Sequence, residues 1–226
     1  MNALIFGATG SVGNYIYNKF KDQDFNIIGT TSKSENTTNS ILYVDNNNCN
    51  NLYNIDELDI VIWAQGYNFN DNITEFNYIN YNKIMDINVG FILNTLNYLV
   101  SNNKIKNGAK LVIVSSIWEE LTRDNKLSYS ISKSALSGLV KNIAYNLSSK
   151  NILVNNVLPG VIDNEMTNKT LTDEQKNYIK NYMNFGRFVN LDDIYKTIKF
   201  LVTENTGITG QSIKVDLGFT HLKKYS

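Results

Sequence analysis

The sequence predicts an α/β fold, a doubly wound, mostly parallel sheet of about seven strands flanked by helices, in one domain spanning residues 1–226. Three observations predict it. Short apolar runs alternate with longer amphipathic segments along the chain, the pattern of strand–helix–strand units. The first run, residues 3–6, passes directly into Gly7-Ala-Thr-Gly10-Ser-Val-Gly13 and then into a helical pattern reaching Phe20. The 226 residues suffice for one sizeable core, and no linker or repeat divides them.

Strand, glycine turn and helix in that order give the first unit a Rossmann-like reading. Glycines there permit a tight turn and a close approach of backbone to a pyrophosphate, which then sits at the positive end of the helix. Residues 25 to 30 or 31 read as a second strand, whose C-terminal end runs through Gly29-Thr-Thr-Ser-Lys33-Ser. An acid at that strand end binds an adenosine 2′-hydroxyl and repels a 2′-phosphate. Here the strand end offers hydroxyls and Lys33 instead, which favours NADP(H) over NAD(H).

Residues 41–44 read as a third strand, ending at Asp45. The intervening 32–40 is too short for a crossover with a full helix, so a loop or single turn is expected. Residues 46–51 read as a polar surface loop. A fourth strand, 59–64, runs into Trp63-Ala-Gln-Gly66, where small residues let the backbone come close to a cofactor ribose. Residues 76–100 carry apolar positions at helical spacing and read as one long helix containing Asn88, which either satisfies local backbone or holds a water chain leading to Lys133.

The apolar run 110–116 reads as a buried strand that delivers Ser116 to the sheet edge, where α/β proteins place their sites. A helix over 127–148 carries Tyr129 and Lys133, four apart and therefore on one face. The Tyr-x-x-x-Lys spacing recurs at Tyr15/Lys19, Tyr17/Lys21 and Tyr195/Lys199; only the Tyr129 pair has a serine thirteen residues upstream on a strand. Serine, tyrosine and lysine in one crevice suit proton transfer to a carbonyl oxygen. The hydroxyl of serine holds the oxygen, and an ammonium lowers a phenol whose ordinary pKa is about 10. Residues 152–158 read as a sixth strand closed by Pro159-Gly160, 191–203 as a helix, and 208–215 as a turn into the last strand. The polar, tyrosine-rich segment 161–185, with Tyr178 and Tyr182, is the expected lid over a substrate.

Composition narrows the function classes. Lys+Arg and Asp+Glu both number 21, so no charge footprint points to nucleic acid or an anionic membrane. No apolar run reaches transmembrane length and no basic leader precedes the first strand, so a cytoplasmic protein is expected. Cys49 is the sole cysteine and His221 the sole histidine. That excludes an internal disulfide and disfavours both a zinc site and a Ser-His-Asp hydrolase.

Taken together these residues resemble the short-chain dehydrogenase/reductase family, in its single-domain branch, along essentially the whole chain. The glycine turn, Asn88, Ser116, Tyr129-x-x-x-Lys133, Pro159-Gly160 and the ending Ile208-Thr-Gly-Gln211 to Asp216-Leu-Gly218 fall in family order. The run Gly186-Arg-Phe188 is similar to the 3-oxoacyl-carrier-protein reductase type. The resemblance implies a catalytic set of Asn88, Ser116, Tyr129 and Lys133. Tyr129 is then the general acid or base, Ser116 polarises the carbonyl, Lys133 binds the nicotinamide ribose and lowers the tyrosine pKa, and Asn88 anchors a proton-relay water.

It further implies cofactor contacts from Gly7, Thr9, Gly10, Ser11, Val12, Gly13, Thr31, Ser32, Asp45, Ala64, Gly66, Tyr129, Lys133, Pro159, Gly160 and Ile162. The expected partners are a small carbonyl or alcohol substrate and further copies of the chain, in a homodimer or homotetramer packed through 76–100 and 127–148. Four features depart from the family pattern: Ser11 in place of the middle glycine, Trp63-Ala-Gln-Gly66, Asn164 in place of a threonine, and the trimmed second crossover. Together with the absence of a strong basic patch for a carrier protein, they argue against a housekeeping fatty-acid enzyme. A nucleotide-sugar-modifying enzyme of the extended branch and a non-catalytic cofactor-binding scaffold are the alternative readings.

Overall fold

The structure, a computed structural model, describes residues 1–23, 25–163, 172–183 and 185–222, with Tyr178 and Tyr182 described by backbone alone. Seven strands form one sheet: β1 (Asn2–Phe6), β2 (Asn26–Thr31), β3 (Ile41–Tyr43), β4 (Leu58–Trp63), β5 (Ile105–Val114), β6 (Leu153–Pro159) and β7 (Ser212–Val215). Their order is β3-β2-β1-β4-β5-β6-β7, and every pairing is parallel, not merely most of them. The helices among the described residues are α1 (Ser11–Lys21), α2 (Tyr78–Met85), α3 (Phe91–Ser101), α4 (Leu127–Asn146), α5 (Asp173–Tyr182) and α6 (Leu191–Thr203).

The central strands are apolar on both faces because both are covered. Alternate residues point to opposite sides. Leu4, Phe6, Val61, Trp63, Leu111 and Ile113 pack against Ile92, Leu96 and Leu99 of α3 and Leu136 and Val140 of α4. Ala3, Ile5, Ile60, Ile62, Val112 and Val114 pack on the other side against Ile16 and Phe20 of α1 and Ile194, Ile198 and Leu201 of α6. The chain steps outward from β1 to β2 and β3, then returns to place β4 on the other flank of β1. That reversal opens a crevice at the carboxyl ends of β1 and β4.

Several boundaries differ from expectation, each for a local reason. The expected single helix over 76–100 is two helices joined by a π-helical turn, Asp86–Gly90, which contains Asn88. Strand β5 starts earlier, at Ile105, where it pairs with Leu58 ahead of a register shift. Strand β7 starts at Ser212, after the expected turn. The preceding segment is pinned as a turn: the Asn205 side chain accepts from the backbone N–H of Gly207 and Ile208, and Asn155 accepts from that of Gln211. The short second crossover holds a 3-10 turn, Ser34–Asn36, as expected from its length. Within the expected lid, α5 begins with a Thr172/Gln175 capping box, while 164–171, including Asn164, lies outside the described residues.

Candidate active site

The crevice begins at the glycine turn. Gly7 has φ +76°, and a Cβ there would lie 2.7 Å from the backbone nitrogen of Gln65. A Cβ on Gly13 would lie 2.2 Å from the carbonyl oxygen of Gly7. Both positions therefore admit only glycine without backbone movement. Gly10 differs: its added Cβ would meet only the Gly7 oxygen, at 3.4 Å, so its outer side is open. Gly10 donates its N–H to Gly7 O at 2.9 Å and caps α1 without a side-chain bond. No acid stands in the first turn, which contains Ser11, Val12 and Gly13. Uncapped first-turn N–H groups and the helix dipole favour an anion at this point.

The flanking residues complete the cradle. The Thr9 and Thr31 hydroxyls lie 3.2 Å apart, and Thr31 also accepts from the Lys33 N–H at 3.2 Å. Thr31 is thus buried and internally bonded, whereas Ser32 and Lys33 are exposed beyond β2. Asp45 follows β3; its carboxylate accepts from the Tyr43 hydroxyl and the Asn47 N–H, and the tyrosine bond holds its pKa below the ordinary range. Ala64 continues β4 by donating to Phe6 O at 3.0 Å. Beside it, both polar atoms of the Gln65 carboxamide are buried without a hydrogen-bond partner among the described residues. An orphaned carboxamide next to an open glycine turn and an uncapped helix fits a polar nucleotide cofactor.

On the other flank of the sheet, Gly160 donates to Val215 O at 3.0 Å, directly after Pro159 of β6. A Cβ on Gly160 would lie 3.0 Å from Asp216 Cα. Ile162 forms a single parallel bridge to Val189.

The reactive groups gather past β4 and β5. Ser116 caps the 3-10 turn Ile117–Glu119, its Oγ accepting from the Trp118 N–H at 3.4 Å. Tyr129 and Lys133 stand on successive turns of α4, with the Lys133 Nζ 5.7 Å from the centre of the Tyr129 ring. Lys133 is 3% exposed and donates to Val114 O at 3.4 Å. A Cβ built on Gly66 would be 3.6 Å from Asn88 Oδ1 and 3.7 Å from Lys133 Nζ, so these three residues converge. Within the π turn, Asn88 is fully engaged. It accepts from the Tyr67 N–H at 2.8 Å and donates to Tyr67 O and Ser132 Oγ, both at 2.9 Å. The bond to Ser132, one residue before Lys133, ties the π turn to α4. Functional sites often carry such turns.

Burial sets the charge states. It pushes Tyr129 up to about 12, against the pull of the Ser116 hydroxyl. It pushes Lys133 down to about 8, against the attraction of Glu119. The expected lowering of Tyr129 by the lysine is therefore outweighed by desolvation in the chain as it stands. Two buried charges had no counterpart in the sequence reading. Glu119 accepts from Ser212 at 2.5 Å and from Asn156 at 3.1 Å, and burial raises its pKa. Lys126 lies 5.4 Å from the Tyr129 ring centre. No periodicity marks either residue as buried, since both stand in short irregular segments.

A parallel sheet with a glycine turn at its switch point, and a serine, tyrosine and lysine in the adjoining crevice, defines the class of nucleotide-cofactor α/β oxidoreductases. Comparisons with known proteins agree. The family described as enoyl-(acyl carrier protein) reductase matches residues 51–220. The 3-oxoacyl-[acyl-carrier-protein] reductase FabG of Rickettsia bellii is 27% identical, covering 96% of this chain and 95% of its own. A short chain dehydrogenase family protein of Francisella tularensis shares the fold with TM-score 0.86 at 20% identity, covering 98% and 99% of the two chains. The ligand-free aldohexose dehydrogenase of Thermoplasma acidophilum superposes with TM-score 0.88 at 18% identity, covering 100% and 96%. The chain belongs to the short-chain dehydrogenase/reductase family, whose members are oxidoreductases that bind a nicotinamide cofactor.

Proposed function

We propose that the protein is an NADP(H)-dependent carbonyl reductase in which Tyr129 is the general acid. The observation that carries this reading is the convergence of Ser116, Tyr129, Lys133, Asn88 and Gly66 on one crevice at the carboxyl edge of the sheet. Its relation to a 3-oxoacyl-[acyl-carrier-protein] reductase supports the reaction type.

The nicotinamide, when bound, supplies the hydride. The chain supplies orientation and the proton. The glycine turn and the first turn of α1 hold the pyrophosphate, while Ser32 and Lys33 meet the 2′-phosphate. Ser116 holds the carbonyl oxygen, and Tyr129 gives it the proton. A phenol raised to about 12 is protonated at neutral pH, which suits an acid and hence the direction of reduction. The Lys133 ammonium, across the crevice from Gly66, favours the phenolate left behind. Asn88 acts through Tyr67 and Ser132 as a positioning residue.

The test is consumption of NADPH against a panel of aldehydes, ketones and oxo acids, with the wild type beside Tyr129→Phe. General acid catalysis contributes about 10²–10⁴-fold, so the variant should lose that much turnover and keep its cofactor affinity. Undiminished turnover in Tyr129→Phe would contradict the assignment.

A further inference from the structure

The proposed reaction leaves Lys126 unused. This residue is 5% exposed, and its Nζ lies 5.4 Å from the Tyr129 ring centre, as close as that of Lys133 at 5.7 Å. It precedes α4 and donates to Asn68 Oδ1 at 2.8 Å and Asn70 Oδ1 at 2.9 Å, both in the loop that follows β4. Both acceptors are neutral. None of the ion pairs among the described residues includes Lys126. Asp71 is the one acid whose charge favours the ammonium, and its two oxygens are already taken by the Ser128 N–H and hydroxyl.

A second cation adds to the imbalance. Arg123, whose guanidinium stands 5.4 Å from the Trp118 indole, repels the Lys126 ammonium; burial and this repulsion bring Lys126 down to about 8. A buried charge is ordinarily paired, and holding one against two amides and a guanidinium costs folding free energy that an incoming anion offsets. An ammonium has three donors, and Asn68 and Asn70 account for two.

We propose that Lys126, oriented by Asn68 and Asn70 and assisted by Arg123, is a subsite for a carboxylate on the substrate, so that the enzyme acts on oxo acids in preference to neutral ketones and esters. The proposal rests on the carbonyl-reductase reading and names its substrate class. The carboxylate would sit a few atoms from the reacting carbonyl, given the distance between the ammonium and the Tyr129 ring.

The experiment titrates the protein, saturated with NADPH, with pyruvate, acetoacetate and 4-oxopentanoate and with the ethyl ester of each, following cofactor fluorescence for binding and absorbance for turnover. At least one acid should bind tenfold or more tightly than its ester. Lys126→Met should remove that preference. Asn70→Asp should remove it as well, because it sets a carboxylate against Nζ with no change of shape, and it serves where the Lys126 variant does not fold. Equal affinity for every acid and its ester, or a preference that survives in both variants, would overturn the subsite. An acid preference without turnover would keep the subsite and sink the reductase reading; turnover without a preference would do the reverse.

Discussion

The Lys133 ammonium stands 5.7 Å from the centre of the Tyr129 ring, and the two side chains leave α4 one turn apart. Burial works against the charged form of each, with Lys133 brought down to about 8 and Tyr129 pushed up to about 12. The pair therefore rests in a poise in which the phenol keeps its proton at neutral pH and neither member carries its charge cheaply.

That poise has a consequence for stability. A lysine whose folded pKa lies near 8 binds fewer protons than its unfolded counterpart between about 8 and 10.4, so stability rises with pH across that window. The contribution is lost as pH falls through 8. Lys126 acts in the same direction over the same window. Tyr129, raised to about 12, opposes the rise above pH 10. The melting temperature should therefore increase from pH 8 to pH 10, and Lys133→Met should flatten part of that increase. Calorimetry of both proteins across this range checks it; a slope unchanged in Lys133→Met would contradict the assigned burial.

Asn88 holds both backbone polar groups of Tyr67 and the Ser132 hydroxyl. Asn88→Ala leaves the part-buried Tyr67 N–H and carbonyl without this partner, while Ser132 keeps its bond to Tyr129 O, at a cost of about 1–3 kcal/mol, read as a lowered denaturant midpoint. Because the π turn sets the position of Gly66 beside Lys133, turnover should fall more than stability alone explains. Asn88→Asp keeps the acceptor to the Tyr67 N–H but sets a buried carboxylate oxygen against the Tyr67 carbonyl, so its midpoint should fall at least as far as that of alanine.

The glycine turn separates fold from binding. Gly13→Ala forces a Cβ to within 2.2 Å of a backbone oxygen and should destabilise the protein by about 1–3 kcal/mol, as overpacking does. Gly10→Ala meets nothing closer than 3.4 Å and should fold with nearly the wild-type midpoint. Its methyl group enters the open side of the turn, so cofactor affinity should drop at least tenfold. Unchanged affinity in Gly10→Ala would remove the pyrophosphate from this turn.

Much of this was legible in the sequence, for physical reasons. Each central strand is an apolar run bounded by turn residues, so about seven strands in a mostly parallel sheet followed from pattern, while the strand order and the parallel pairing of every strand come from the structure. Ser116, Tyr129 and Lys133 were legible because strand and helix periods fix which residues share an edge or a face. The π turn was not, because the helical period of apolar residues runs through 86–90 without interruption; only the polar Asn88 among apolar neighbours signals it. Lys126 was not legible either. Its burial depends on Asn68 and Asn70, 58 and 56 residues away in sequence, and nothing local distinguishes it from a solvated lysine. The direction of the Tyr129 shift is not legible for the same reason: desolvation is a tertiary quantity, while the neighbouring lysine is visible at i+4.

The central claim is that the crevice between β1 and β4 binds a nicotinamide dinucleotide through the Gly7–Gly13 turn, with Ser32 and Lys33 beyond β2 meeting a 2′-phosphate. Parallel fluorescence titrations of the purified protein with NADPH and NADH test it most directly. A charge-assisted contact to the phosphate contributes about 1.5–3 kcal/mol, so NADPH should bind at least tenfold more tightly than NADH. Tighter binding of NADH would contradict the assignment of Ser32 and Lys33, and binding of neither cofactor would contradict the claim itself.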